Sequence, residues 1–128
     1  MGVKIHFADI DSDTMNIDSN HVRELMSKKV RAIICVHYGG LPCDMDELKN
    51  IANEWNVPII EDAAEALGSV YKGKLCGNFG DYSILSFNGN KIITTSSGGA
   101  LLCRSKKDKE RAIYLSTQAK IDDANYVD

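Results

Sequence analysis

An α/β fold with a largely parallel sheet is predicted by three features of this 128-residue chain. Two apolar runs, Ala32-Ile33-Ile34-Cys35-Val36 and Val57-Pro58-Ile59-Ile60, are short and rich in β-branched residues, as strands inside a sheet are. Between them, Met45, Leu48, Ile51, Ala52 and Trp55 recur at helical spacing. A strand, a helix and a second strand in that order form a right-handed crossover between parallel neighbours.

The elements follow in chain order. Val3, Ile5 and Phe7 alternate with Lys4, His6 and Ala8, a pattern that predicts a half-buried strand. Residues 9–18 are polar loop, after which Asp18 or Ser19 can cap a helix carrying Val22, Leu25 and Met26 on one face. The continuous apolar run at 32–36 predicts a strand covered on both faces. A loop, His37-Tyr38-Gly39-Gly40-Leu41-Pro42, leads to Asp44 and Glu47, spaced as a capping box for the second helix. Asn56 and Pro58 mark where that helix stops and the next strand begins. Residues 70–80, flanked and interrupted by glycines, predict a hairpin or turn-rich excursion. Residues 82–87 and 100–103 predict two more strands, and Ser105 with Asp108 opens a last helix through Ala112, Ile113 and Leu115. No internal repeat or linker interrupts the chain, so one domain spans 1–128.

Composition narrows the function. Hydrophobic residues make up 44% and charged residues 26%, the proportions of a globular domain with a real core. A net charge of -3 leaves no basic footprint for nucleic acid. No apolar run approaches the ~20 residues of a membrane span, and the start lacks a signal-peptide pattern, so neither a membrane nor export is expected and the cytoplasm is the expected location. Cys35, Cys43, Cys76 and Cys103 include no Cys-x-x-Cys pair, and buried reduced thiols are expected. His6, His21 and His37 are equally dispersed, so no metal site is expected.

The chemistry gathers past the strand ends, where ligands bind in open α/β sheets. His37, Asp62, Ser86 and Lys91 all fall there. A carboxylate at the end of a buried strand, followed downstream by a loop lysine, is what a pyridoxal phosphate site requires. The lysine makes the Schiff base with the cofactor aldehyde, and the aspartate pairs with the pyridinium nitrogen so that the ring accepts electrons. Each residue also has a plainer reading. Asp62 can cap a helix starting at Ala63, Ser86 can be a strand-end hydroxyl, and His37 reads better as a structural loop histidine than as a catalytic one. Gly98-Gly99 serves backbone geometry, and the Lys106–Arg111 charges form a solvated helix face.

Four segments carry a resemblance: Val36-His37-Tyr38-Gly39, Pro42-Cys43-Asp44-Met45, Ile60-Glu61-Asp62-Ala63-Ala64-Glu65-Ala66-Leu67-Gly68 and Ser86-Phe87-Asn88-Gly89-Asn90-Lys91. They resemble the DegT/StrS nucleotide-sugar aminotransferases, fold-type I pyridoxal phosphate enzymes. The resemblance implies a three-layer αβα sandwich with a mostly parallel sheet, of which 1–128 would be the central part of the cofactor-binding large domain. An N-terminal segment with the main phosphate-binding helix start and a C-terminal domain would lie outside the chain. By position, Lys91 matches the catalytic, cofactor-attaching lysine, Asp62 the partner of the pyridine nitrogen, and Ser86 a hydroxyl on the cofactor phosphate. Glu65 matches a cofactor-binding position near the ring's phenolic oxygen, often Gln or His, where a carboxylate must be protonated or bridged. Relatives with His in place of the lysine act as dehydratases, so Lys91 implies transamination.

The implied reaction transfers an amino group from glutamate to a nucleotide-linked keto-sugar for surface polysaccharide or glycan synthesis. The wording of the motifs looks most like the subgroup acting on UDP-linked 4-keto-6-deoxy amino sugars. A homodimer is implied as well, because in the family a neighbouring subunit lends residues to the site. The alternative reading is a catalytically silent fragment acting as a folding or interaction module.

Overall fold

The computed structural model describes residues 2–119; positions 1 and 120–128 of the predicted domain lie outside the described residues. In chain order the elements are α1 (Ser19–Leu25), β1 (Ile33–Val36), α2 (Met45–Trp55), β2 (Ile59–Asp62), β3 (Val70–Tyr71), β4 (Lys74–Leu75), β5 (Tyr82–Ser86), β6 (Gly99–Cys103) and α3 (Lys106–Ser116). The main sheet has the order β1-β2-β5-β6. β1 and β2 run parallel with Ile33 opposite Ile59, and β5 runs parallel to β2 with Asp62 opposite Ile84. β6 returns antiparallel along β5, from Tyr82↔Cys103 to Ser86↔Gly99. The predicted α/β class with a mostly parallel sheet is therefore observed.

Local chemistry sets the helix ends. The Asp18 carboxylate accepts the Asn20 amide at the start of α1, and Asp44 accepts the Glu47 amide at the start of α2. Asn56 ends α2 in the left-handed conformation (φ 52°), which asparagine tolerates. Ser105 caps α3 by accepting the Asp108 amide while its hydroxyl donates to the Asp108 carboxylate. The β3–β4 hairpin turns on Lys72 and Gly73, both at positive φ, as a tight two-residue hairpin turn demands.

α2 buries Met45, Leu48, Ile51 and Ala52 against Ile33, Cys35 and Ile59 of the sheet, with Val22 of α1 and Phe79 completing the cluster. Each large aliphatic side chain so buried contributes about 1.5–3 kcal/mol. Arg23 ties α1 to α2 through Glu47 and Glu54, both at 2.6 Å. These pairs are solvent-exposed and orient the helices more than they stabilise them. Trp55, the last member of the apolar stripe, stays 39% exposed. Cys35, Cys43, Cys76 and Cys103 are all free thiols, Cys103 only half-buried.

Three expectations are corrected. Val3, Ile5 and Phe7 form no strand and are 71%, 70% and 85% exposed. Alternation prepares a face for burial, but a strand also needs a hydrogen-bonded neighbour, and the described residues supply none. The run 32–36 is not covered on both faces. Ile33 and Cys35 are buried under the helices, whereas Ile34 and Val36 are 60% and 46% exposed. Among the described helices, α3 alone approaches the sheet from that second side, where Tyr82 Oη donates to Asp108 Oδ1 at 3.1 Å. Finally, no helix follows Asp62. Residues 63–69 form successive turns, closed by Ala66 N–H to Ala63 O and Ser69 N–H to Ala66 O.

Gly80 allows the closest approach in this fold. A Cβ there would lie 2.6 Å from the Tyr82 carbonyl oxygen and 2.7 Å from Glu61 Cβ. Gly80→Ala is accordingly expected to lower stability by about 1–3 kcal/mol, read from the urea midpoint. Gly89, with nothing within 4 Å of its Cβ position, serves as the control, and Gly89→Ala is expected to leave that midpoint nearly unchanged.

Candidate active site

Strand parity divides the two acidic residues of β2. Glu61 faces the helices and is fully buried, while Asp62 faces the other way and ends the strand half-buried. A lone buried carboxylate would cost several kcal/mol, and Glu61 avoids that cost by accepting five hydrogen bonds. His37 Nε2 and the Gly77 amide donate to Oε1; the Phe79 and Gly80 amides and the Ser83 hydroxyl donate to Oε2, four of the five at 2.8–2.9 Å. The His37 tautomer follows from its other nitrogen: Nδ1 accepts the Cys43 amide at 3.0 Å, so the ring proton sits on Nε2. Burial alone pushes the Glu61 carboxyl up, but the His37 N–H and the amides of Gly80, Gly77 and Phe79 outweigh it and bring its pKa down to about 2.

Both ring nitrogens of His37 are thus engaged in hydrogen bonds within the fold. The part of this network that the sequence reading missed is Glu61 with Ser83. The available signal was an acidic residue at the core-facing parity of an apolar strand, followed by a glycine-flanked turn at 77–80. His37, Glu61 and Cys76 also bring three potential metal-binding atoms within 4.8 Å of one another. Both Glu61 oxygens and both His37 nitrogens are already engaged, so the cluster is a closed polar lock.

The predicted residues gather at the carboxyl ends of β2 and β5. Asp62 Oδ1 accepts the Ala64 amide at 3.0 Å, and the Asp62 carbonyl accepts the His37 amide at 3.1 Å. Among the described residues its Oδ2 accepts nothing. Ser86 ends β5, on the sheet face that Asp62 shares, since Asp62 pairs in register with Ile84; its hydroxyl accepts the Asn88 amide at 3.4 Å. Lys91 closes the 88–91 turn through its amide to Asn88 O at 3.0 Å. Its side chain is only 17% exposed, and Nζ lies 3.5 Å from Glu65 Oε1. Glu65 Oε2 in turn accepts the Gly39 amide at 3.0 Å. Behind it, Gly40 (φ +83°) lies against the Glu65 carbonyl, which a Cβ would approach to 2.8 Å. Lys91 and Glu65 are therefore in contact, while no hydrogen bond joins Asp62 or Ser86 to Lys91 among the described residues.

These groups fit pyridoxal phosphate. A sheltered primary amine, a carboxylate oxygen with no partner among the described residues and a strand-end hydroxyl lie at one edge of the parallel strands. They match an aldehyde, a protonated ring nitrogen and a phosphate oxygen.

The chain belongs to the DegT/DnrJ/EryC1/StrS aminotransferase family, whose profile matches residues 1–127. It is 42% identical over 112 residues to a GDP-perosamine synthase of Escherichia coli O157:H7, covering 88% of this chain and 31% of that protein. It is also 42% identical over 120 residues to EpsN of Bacillus subtilis, a putative pyridoxal phosphate-dependent aminotransferase, covering 89% and 31% respectively. Among solved structures, an aminotransferase from Psychrobacter cryohalolentis superimposes with a TM-score of 0.86 at 34% identity, over 95% of this chain and 31% of that one. The chain thus spans 31% of the length of the two curated relatives. Pyridoxal phosphate is the cofactor of this class. No helix among the described residues is long and apolar enough to cross a membrane.

The Glu61 lock carries a pH signature. The carboxyl has an ordinary value of 4.5 and is held near 2 in the fold, so the unfolded chain binds the extra proton first. The stabilisation is complete above about 4.5 and is lost as pH falls from there towards about 2. Glu61→Gln is expected to lower stability by about 3–5 kcal/mol at neutral pH. It should also flatten the acid limb of urea midpoint against pH; an unchanged acid limb would assign that dependence to other carboxylates.

Proposed function

We propose that these residues form the cofactor-holding part of an enzyme that moves an amino group from an amino-acid donor to a nucleotide-linked keto-sugar. The observation that carries the reading is the sheltered Lys91 amine at the sheet edge where Asp62 offers a free carboxylate oxygen, in a chain of this family. Bound there, pyridoxal phosphate supplies an aldehyde to receive the amino group and a ring to accept the electron pair released at the substrate carbon.

The roles of this chain's residues follow from their chemistry. Lys91 Nζ would be the nucleophile that holds the cofactor aldehyde and the base that moves a proton at the reacting carbons. That second task needs the lone pair of Nζ free to take the proton. Asp62 would hold the ring nitrogen, its carboxylate favouring a proton there. The Ala64 amide on its Oδ1 fixes the carboxylate plane and leaves Oδ2 for the ring. Ser86 would donate its hydroxyl to the phosphate, and Glu65, which accepts the Gly39 amide, would neighbour the phenolic oxygen.

For the substrate we propose a nucleotide-linked 4-keto-6-deoxy amino sugar with glutamate as donor, destined for a surface polysaccharide or glycan. The UDP carrier rests on the wording of the segments around Asp62 and Lys91. A relative that is a GDP-perosamine synthase makes the carrier base the informative comparison. Parallel turnover assays with UDP- and GDP-linked 4-keto-6-deoxy sugars decide it, with the UDP form expected to react faster.

The assignment of the site is tested in a protein of the relatives' full length that carries this chain. Lys91→Ala should remove the yellow absorbance of the attached cofactor and lower turnover by orders of magnitude, on the order of 10³-fold or more. Asp62→Asn should keep the colour and lose most of the turnover, because an amide cannot hold a protonated ring nitrogen. Full activity in either variant would overturn the assignment. A silent interaction module would show neither colour nor turnover in the parent protein.

A further inference from the structure

Glu65 departs from an ordinary cofactor-contacting side chain in what it already holds. Its two carboxylate oxygens bridge two loops: Oε2 takes the Gly39 amide at 3.0 Å and Oε1 faces Lys91 Nζ at 3.5 Å. The bridge is braced from behind, where Gly40 packs on the Glu65 carbonyl and the Ser69 hydroxyl donates to the Gly40 carbonyl at 2.7 Å. Lys91 sits in an exposed segment, residues 88–98, and its flexible side chain is nevertheless only 17% exposed. Lys106, by contrast, pairs with Glu110 on α3 and remains 90% exposed.

We propose that Glu65 is a positioning residue that latches the Lys91 amine into the site before the cofactor arrives, and that the latch must open for the amine to react. The inference rests on the reading of Lys91 as the cofactor-attaching lysine. While Nζ is a cation held against the carboxylate, it has no lone pair to offer an aldehyde. Attack therefore requires that the ion pair separate and the amine lose its proton. The price of a steady location is a slower first reaction. Glu65→Gln retains an oxygen to accept the Gly39 amide and removes only the charge that holds Lys91, so it separates the latch from the loop structure.

The experiment is competitive acetylation of this chain with an N-hydroxysuccinimide acetate at fixed pH, with each lysine's rate read by peptide mass spectrometry and referenced to Lys28 and Lys29. The Lys91 rate is expected to rise about three-fold in Glu65→Gln, the scale of a partly exposed ion pair. Adding salt should raise the Lys91 rate in the parent chain, by screening the pair, and leave the variant unchanged. Equal Lys91 rates in parent and variant, or a parent rate indifferent to salt, would overturn the proposal. The salt response of the parent stands even where the variant folds poorly. Since no cofactor enters this assay, its outcome is separable from the colour and turnover tests of Lys91 as the attaching lysine.

Discussion

One buried carboxylate organises this structure. Glu61 lies under the helices with five donors on its two oxygens, and those donors come from the loop after β1, the turn at 77–80 and strand β5. A charge without these partners would not be tolerated in such a place, so the network forms as a unit. Its second tier is visible too. Arg104 donates to the carbonyls of Gly80 and Asn78, clamping the turn whose amides face Glu61. Gly80 is glycine because its Cα lies against Glu61 and Tyr82 with no room for a methyl group.

The lock connects to the candidate site through strand geometry. Consecutive residues of a strand point to opposite faces. Securing Glu61 on the helix side therefore presents Asp62 on the other side, at the carboxyl edge. The same histidine that donates to Glu61 donates its backbone amide to the Asp62 carbonyl, joining β1's exit to β2's end. A second junction, from Gly39 through Glu65 to Lys91, fixes the loops that follow β1 and β2 against the segment after β5. Asp62 and Ser86 stand at strand ends and Glu65 and Lys91 on the loops beyond them, and the two junctions tie those loops to the strands that feed them.

The second face of the sheet has a different character. Ile34, Val36, Ile84 and Leu101 remain substantially exposed there, on the side that Asp62 and Ser86 also face. Apolar residues on both faces of β1 are what an α/β sandwich demands, and the sequence pattern at 32–36 was correctly apolar. The pattern describes what a face is suited to bury; whether it is buried depends on which other elements reach it.

The sequence by itself determined whatever is governed by local chemistry. Helix starts at Asp18, Asp44 and Ser105, the helix stop at Asn56, a hairpin or turn-rich excursion within 70–80 and the strands around 32–36, 57–60 and 82–87 depend on side chains and backbone within a few residues, and all were legible. The strand-end positions of Asp62 and Ser86 and the turn position of Lys91 were legible as well, because each follows an apolar run. Tertiary structure alone decided the rest. Val3, Ile5 and Phe7 have the right alternation and no ladder partner, and 63–69 has helix-forming alanines yet turns, its chain drawn along Gly40 and Ile84 by hydrogen bonds from Ser69 and Ala63. The role of Glu61, and the meeting of Glu65 with Lys91, depend on donors 16 to 26 residues away in the chain. Only folding brings such groups within hydrogen-bonding distance, and no local pattern records it.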